Sequence, residues 1–216
     1  MTVFKDKWKE IEDDARQGNY WERHEGNKQK LFSIGRRHQF LIDKIGQETP
    51  KNALEIGAGR GIIGIMVSKE CDCKVTSVDL NPGYVALGNE TNRFLEGNCR
   101  FVQGDVFDLQ FDETYDVIFS QGFIHHFPPK KATELMRRMQ RIGKVNIHSV
   151  PSHNHPALPS RTEYFQEDEV EIFQPSNYWK EVFKQFNCTA EYYSHDLEGR
   201  YEGIFFRGVS ICIWIR

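Results

Sequence analysis

The stretch ALEIGAGRGIIG, residues 53–64, packs Gly57, Gly59, Gly61 and Gly64 into eight positions, directly behind a short apolar run holding one acid, Glu55. ALEI reads as a buried strand, and GIIGIMVSKE, residues 61–70, as the helix after the turn. Glycine lets a backbone turn tightly and approach a ligand with no Cβ in the way. Strand, glycine turn and helix in that order place the turn at the carboxyl end of a strand, where open α/β sheets hold their ligands.

Working outward, the strand and helix pattern repeats. KVTSVDL (74–80) is a second strand, rich in β-branched residues, and NPGYVALGNETNRFLEG (81–97) a helix with Asn81 as its cap and Pro82 at its first position. CRFVQGD (99–105) and YDVIFSQG (115–122) are a third and fourth strand. PPKKATELMRRMQRI (128–142) is a helix and GKVNIHSVP (143–151) a fifth strand. A loop and a polar helix, SNYWKEVFKQF (176–186), lead to two strand-like runs at about 188–195 and 204–216, joined as an antiparallel hairpin. Before the core, Phe4, Trp8 and Ile11 recur at helical spacing, and a second helix runs from Lys30 to Ile45.

The fold expected is α/β: a doubly wound, mostly parallel sheet with an antiparallel C-terminal edge hairpin and an N-terminal helical extension. Residues 1–48 form the extension, or lid, and 49–216 the main domain.

With 216 residues, 39% hydrophobic and 27% charged, the chain is sized for one well-filled globular domain. A net charge of −3 without a long basic run speaks against a nucleic-acid partner held by phosphate contacts. Arg36, Arg37 and His38 form a local basic patch. No apolar stretch reaches the roughly 18 residues that span a bilayer, so no membrane partner is expected. The charged start MTVFKDKWKE is unlike a signal peptide, and five scattered cysteines suit free thiols, so the chain reads as cytoplasmic.

The run E-I-G-A-G-R-G after an apolar strand resembles the first motif of class I S-adenosylmethionine-dependent methyltransferases. That resemblance implies a glycine loop (Gly57, Ala58, Gly59, Gly61) beneath the methionyl part of the cofactor, with Glu55 organising the loop and the ammonium group. The remaining motifs follow in order. Asp79 ends the second strand, 24 positions after Glu55, where an acid accepts from both ribose hydroxyls and Leu80 flanks it. Asp105 and Val106, in Q-G-D-V-F, resemble the adenine-binding motif. Ser120, Gln121 and Gly122, at the carboxyl end of the fourth strand, fall beside the sulfonium, while Asp116 anchors that strand's start. The resemblance covers residues 53–150 and implies the cofactor S-adenosyl-L-methionine.

Two alternatives stay open. Gly59, Gly61 and Gly64 also fit the G-x-G-x-x-G pattern of nicotinamide-dependent oxidoreductases, which use an acid at the Asp79 position too. A non-catalytic methyltransferase-like binding protein is the other.

Methyl transfer from a sulfonium is an in-line displacement, so the chief task is positioning. A base is needed only where the nucleophile must shed a proton. His125 and His126, just past the fourth strand, are the candidates, because an imidazole titrates near neutral pH. His148, His153 and His155 carry metal-ligating side chains; lacking carboxylates nearby, they read better as a polar loop over the pocket, with no metal. Tyr20, Trp21 and the Arg36–Arg37 pair could line the pocket from the N-terminal side, and Tyr164, Phe165, Tyr178 and Trp179 from the other. The partner expected is a small-molecule methyl acceptor; its identity and the oligomeric state do not follow from the sequence.

Overall fold

A computed structural model describes residues 28–152, 162–166, 169–173, 183–201 and 204–215. Helices α1 (Lys28–Arg36) and α2 (Gln39–Gln47) precede strand β1 (Asn52–Ile56), followed by α3 (Ile62–Glu70), β2 (Lys74–Asp79), α4 (Pro82–Leu95), β3 (Cys99–Gln103) and β4 (Tyr115–Gln121). A 3-10 turn (Ile124–His126), α5 (Pro129–Met139), β5 (Gly143–Ser152), β6 (Thr162–Gln166), β7 (Glu169–Phe173), β8 (Cys188–Tyr201) and β9 (Ile204–Ile215) complete the order.

Seven strands form one sheet in the order β3-β2-β1-β4-β5-β9-β8. β1 to β5 are parallel, and β9 enters antiparallel between β5 and β8. The hairpin therefore sits at the edge as expected, but its second strand is the inner one. β1 pairs with β2 on one side and β4 on the other, so the strand order reverses across it. The crevice above β1 and β4 is the place such a sheet offers a ligand.

Burial explains the sequence of β1: Ala53, Leu54 and Ile56 are fully buried because helices cover both faces. One core cluster joins Leu41, Ile42, Ile45 and Met66 from α2 and α3 to Ala53, Val117 and Phe119. The other joins Leu135, Met136 and Met139 of α5 to Leu54, Ile118 and Ile213. Truncating one such Leu to Ala costs about 2–5 kcal/mol, so these clusters hold the strand ends in register. Helix α4 starts where the sequence implies, with the Asn81 side chain accepting from the Gly83 and Tyr84 amides at 2.8 and 3.3 Å.

Two expectations need correction. The helix expected over 30–45 is two helices, broken where the His38 amide turns back to the Gly35 carbonyl at 2.9 Å. Gly35 lies tight against Met66 of α3, a contact any side chain would obstruct. The segment after β5 is not only a loop: β6 and β7 pair as an antiparallel hairpin of their own, with β7 packed against the 3-10 turn. Such a short pairing carries no long apolar run, so periodicity does not reveal it. The early helix around Phe4, Trp8 and Ile11 and most of the helix expected at 176–186 lie outside the described residues.

Candidate functional site

Gly57, Gly59 and Gly61 have φ of +68°, +52° and +73°. A left-handed φ costs other residues about 1–2 kcal/mol each. Gly59 matters most: a Cβ built there meets nothing within 4 Å among the described residues, so its bare face looks into open space. That space is a cleft of about 390 Å³, within the size range of small-molecule sites. The Gly59 amide donates to Asp79 Oδ2 at 2.8 Å, and the Asn81 amide donates to Oδ1 at 2.9 Å. The acid at the end of β2 is thus tied to the loop after β1, and Asn81, not Asp79, caps α4. Burial raises the Asp79 pKa, opposed by the Asn81 and Gly59 amides.

Glu55 is deeper. Its Oε1 accepts from the Gly64 amide at 3.1 Å and its Oε2 from the Ser77 hydroxyl at 2.6 Å. Gly64 is required at the start of α3 because a Cβ there would lie 2.3 Å from Glu55 Oε2. Its role is to admit this carboxylate, a different task from that of Gly59. Burial pushes the Glu55 carboxyl up to about 7, with Ser77 and Gly64 pulling the other way and Asp79 adding to the rise.

Of the residues expected at the site, Glu55, Gly57, Ala58, Gly59, Gly61, Asp79, Gln121, Gly122 and His126 line this cleft together. Five others do not. Leu80 projects beside it, 65% exposed. Asp105 accepts the Phe107 amide at 2.9 Å in a local turn, and Val106 is buried in the core. Asp105 still stays close in connectivity, because the Gly104 amide bonds to the Asp79 carbonyl at 3.0 Å. Ser120 is buried with its Oγ 2.9 Å from His148 Nδ1.

The fifth is His125, and here two adjacent histidines part company. His126 is exposed and lines the cleft. His125 is buried, and burial, then the neighbouring His126, lowers its pKa to about 3. A 3-10 turn spaces successive residues by roughly a third of a revolution, so two neighbours cannot face the same way. Spacing in the sequence gives no means of choosing between them.

Residues not anticipated also line the cleft, among them His38, Arg60, Tyr84 and Phe123. From the N-terminal helices it is His38 that reaches it, whereas Arg36 and Arg37 are not among its lining residues. The break between α1 and α2 turns His38 inward, and the basic run at 36–38 is its only signal. Tyr20, Trp21, Tyr178, Trp179, His153 and His155 lie outside the described residues, and the side chains of Tyr164 and Phe165 are not described. Among the described residues no group of three or more His, Cys, Asp or Glu side chains could hold a metal, and no helix is long and apolar enough to cross a membrane.

The fold and the loop-acid cleft define a class, and comparison with known proteins bears on the same residues. Residues 53–146 match the family model described as methyltransferase domain. An uncharacterized methyltransferase from Staphylococcus carnosus is 22% identical over 178 residues, covering 82% of this chain and 74% of the relative. Among solved structures, magnesium protoporphyrin IX methyltransferase from Synechocystis with bound S-adenosylmethionine matches all of this chain and 92% of its own, at TM-score 0.59 and 15% identity. TehB from Haemophilus influenzae matches at TM-score 0.60 and 19% identity, over 83% of this chain and 62% of its own. Residues 53–146 thus match a methyltransferase domain, and the fold is the one seen in a magnesium protoporphyrin IX methyltransferase with bound S-adenosylmethionine. With it the nicotinamide alternative falls.

Proposed function

We propose that the protein transfers a methyl group from S-adenosylmethionine to a small organic acceptor. The observation that carries this reading is the clasp between Gly59 and Asp79, which sets a bare backbone and a carboxylate side by side on one cleft. Gly57, Ala58, Gly59 and Gly61 supply the floor for the methionyl part, with Glu55 holding the loop from beneath. Asp79 keeps lone pairs for the ribose hydroxyls after bonding Gly59 and Asn81. Leu80, the large apolar side chain left exposed beside it, offers a face to the adenine. The Asp105 carboxylate and the Val106 backbone amide, outside the cleft lining but joined to it through Gly104 and Asp79, are assigned to its edge, and Gln121 and Gly122 border the sulfonium.

When bound, the cofactor supplies a methyl group on positively charged sulfur. The chain's own task is to hold the acceptor in line, and positioning of that kind supplies up to roughly 7–11 kcal/mol. Where the acceptor atom carries a proton, His126 takes it, since this imidazole stands in the cleft while His125 stands behind it. His38 closes the cleft from the N-terminal helices, which act as a lid over residues 49–216. Among the similar structures, the magnesium protoporphyrin methyltransferase supports a small-molecule acceptor.

Calorimetric titration with S-adenosylhomocysteine, combined with mass-spectrometric screening for transfer to a panel of phenols, amines, thiols and carboxylic acids, tests this. Binding together with methylation of a panel member is expected. A wild-type protein that binds no S-adenosylhomocysteine would overturn the reading.

A further inference from the structure

The proposed methyl transfer leaves one buried group, His125, without a task, and the inference about it rests on that proposal. His125 is 3% exposed, yet among the described residues neither Nδ1 nor Nε2 has a hydrogen-bond partner. A neutral imidazole carries one N–H and one lone pair, so a donor and an acceptor both go unmet. A phenyl ring would fill the same volume with no unmet polar group.

The location gives these nitrogens a use. His125 belongs to the 3-10 turn after β4, which packs against β5 and β7. On one side its ring lies against the tilted ring of His126, centroids 4.1 Å apart, and His126 lines the cleft. On another side is Gly122, also a cleft-lining residue, with φ +61°. A Cβ built on Gly122 would end 3.7 Å from His125 Cε1 and meet nothing else within 4 Å among the described residues. The imidazole therefore stands directly behind the cleft wall, at a point where the wall has no side chain. On β5, His148 Nε2 and Asn146 Oδ1 are also buried without a partner among the described residues, so the polar character continues behind the turn.

The geometry points to His125 as an acceptor-recognition residue, one of its unmet nitrogens hydrogen-bonding a neutral polar group of the methyl acceptor at the gap that Gly122 leaves in the wall. The group is neutral for a chemical reason. Burial keeps this imidazole uncharged at neutral pH. A hydroxyl both donates and accepts, so it can pair with one nitrogen of the ring in either tautomer. A carboxylate or phosphate only accepts, and would bury its charge against an uncharged ring.

The test uses full-length protein saturated with S-adenosylhomocysteine and labelled with nitrogen-15 in its histidine rings. Phenol serves as the neutral probe and benzoate as its anionic counterpart. The ring-nitrogen signals of His125 are assigned by their loss in His125→Phe or, should that variant fold poorly, in His125→Gln. Phenol is expected to shift those signals while benzoate leaves them in place. His125→Phe is expected to lose phenol binding, keep S-adenosylhomocysteine affinity and melt no lower than wild type. In protein that binds S-adenosylhomocysteine, the inference is overturned if phenol leaves the His125 signals unmoved or benzoate shifts them equally. Absence of S-adenosylhomocysteine binding would instead bring down the methyltransferase proposal beneath it.

Discussion

The carboxylate of Asp79 accepts the amide hydrogen of Gly59 at 2.8 Å, joining the end of β2 to the loop after β1. The loop is held in its left-handed conformation before any ligand arrives, so less ordering is required on binding. Replacing Asp79 by Ala removes both this clasp and the acceptors proposed for the ribose. Hydrogen bonds to a charged group are worth about 1.5–3 kcal/mol. Calorimetry should therefore show S-adenosylhomocysteine affinity falling roughly 10–100-fold. An unchanged affinity would remove Asp79 from the site.

Two glycines of the loop-helix segment should fail differently when changed to Ala. At Gly64 the new methyl would strike Glu55 Oε2 and Ser77 Oγ, built 2.3 and 2.7 Å away. Overpacking of this kind costs about 1–3 kcal/mol, read as a lower denaturation midpoint. At Gly59 the methyl meets no atom of the described residues, so only the conformational strain of about 1–2 kcal/mol falls on stability. The larger loss there should be in S-adenosylhomocysteine affinity, because the methyl occupies the cleft.

Glu55 makes stability depend on pH. Its carboxyl is raised from 4.5 to about 7, chiefly by burial, so the folded chain holds this proton more tightly than the unfolded chain. The resulting stability is fully present below about pH 4.5 and is lost as pH rises through about 7, a change of about 3 kcal/mol. Glu55→Gln, with its amide turned toward the Ser77 hydroxyl, should be free of that loss. Urea denaturation at about pH 5 and about pH 8 measures it, the wild type weakening more than the variant. Parallel behaviour of the two proteins would count against a protonated Glu55.

His126→Ala should leave S-adenosylhomocysteine affinity intact. For an acceptor that must lose a proton, turnover should fall about 10²–10⁴-fold, the usual contribution of a side-chain base. Initial rates at saturating cofactor give this directly. Full activity of the variant on a phenol would rule out His126 as the base.

Asp116 provides a contrasting site. It stands at the amino end of β4, where Oδ1 meets Lys144 Nζ at 2.6 Å and Oδ2 accepts the Lys51 amide at 2.9 Å. Lys144 and then the Lys51 amide lower its pKa. The stability it contributes is thus present above the ordinary carboxylate range and lost as pH falls through its lowered value. Asp116→Ala should lower the denaturation midpoint, the loss of the charged hydrogen bonds costing about 1–3 kcal/mol. Cofactor affinity should stay as in wild type, because the cleft lies at the opposite ends of the strands.

Much of this protein is legible in its residues alone. Alternating apolar strands and helices specify the doubly wound sheet, since burial on both faces leaves continuous runs such as Val117, Ile118 and Phe119. The glycines and the acids at strand ends are legible because turn geometry and carboxylate chemistry are local, and a few neighbouring residues suffice to express them. Three-dimensional packing settled what neighbours in sequence cannot. It turned His126 into the cleft and His125 behind it, broke the first helix so that His38 reached the site, and folded β6 onto β7. It also gave Glu55 to Gly64 and Ser77, partners 9 and 22 positions away. The physical reason is common to all four. Which way a side chain faces, and which polar groups lose water, depends on elements distant in the chain, and only their assembly decides it.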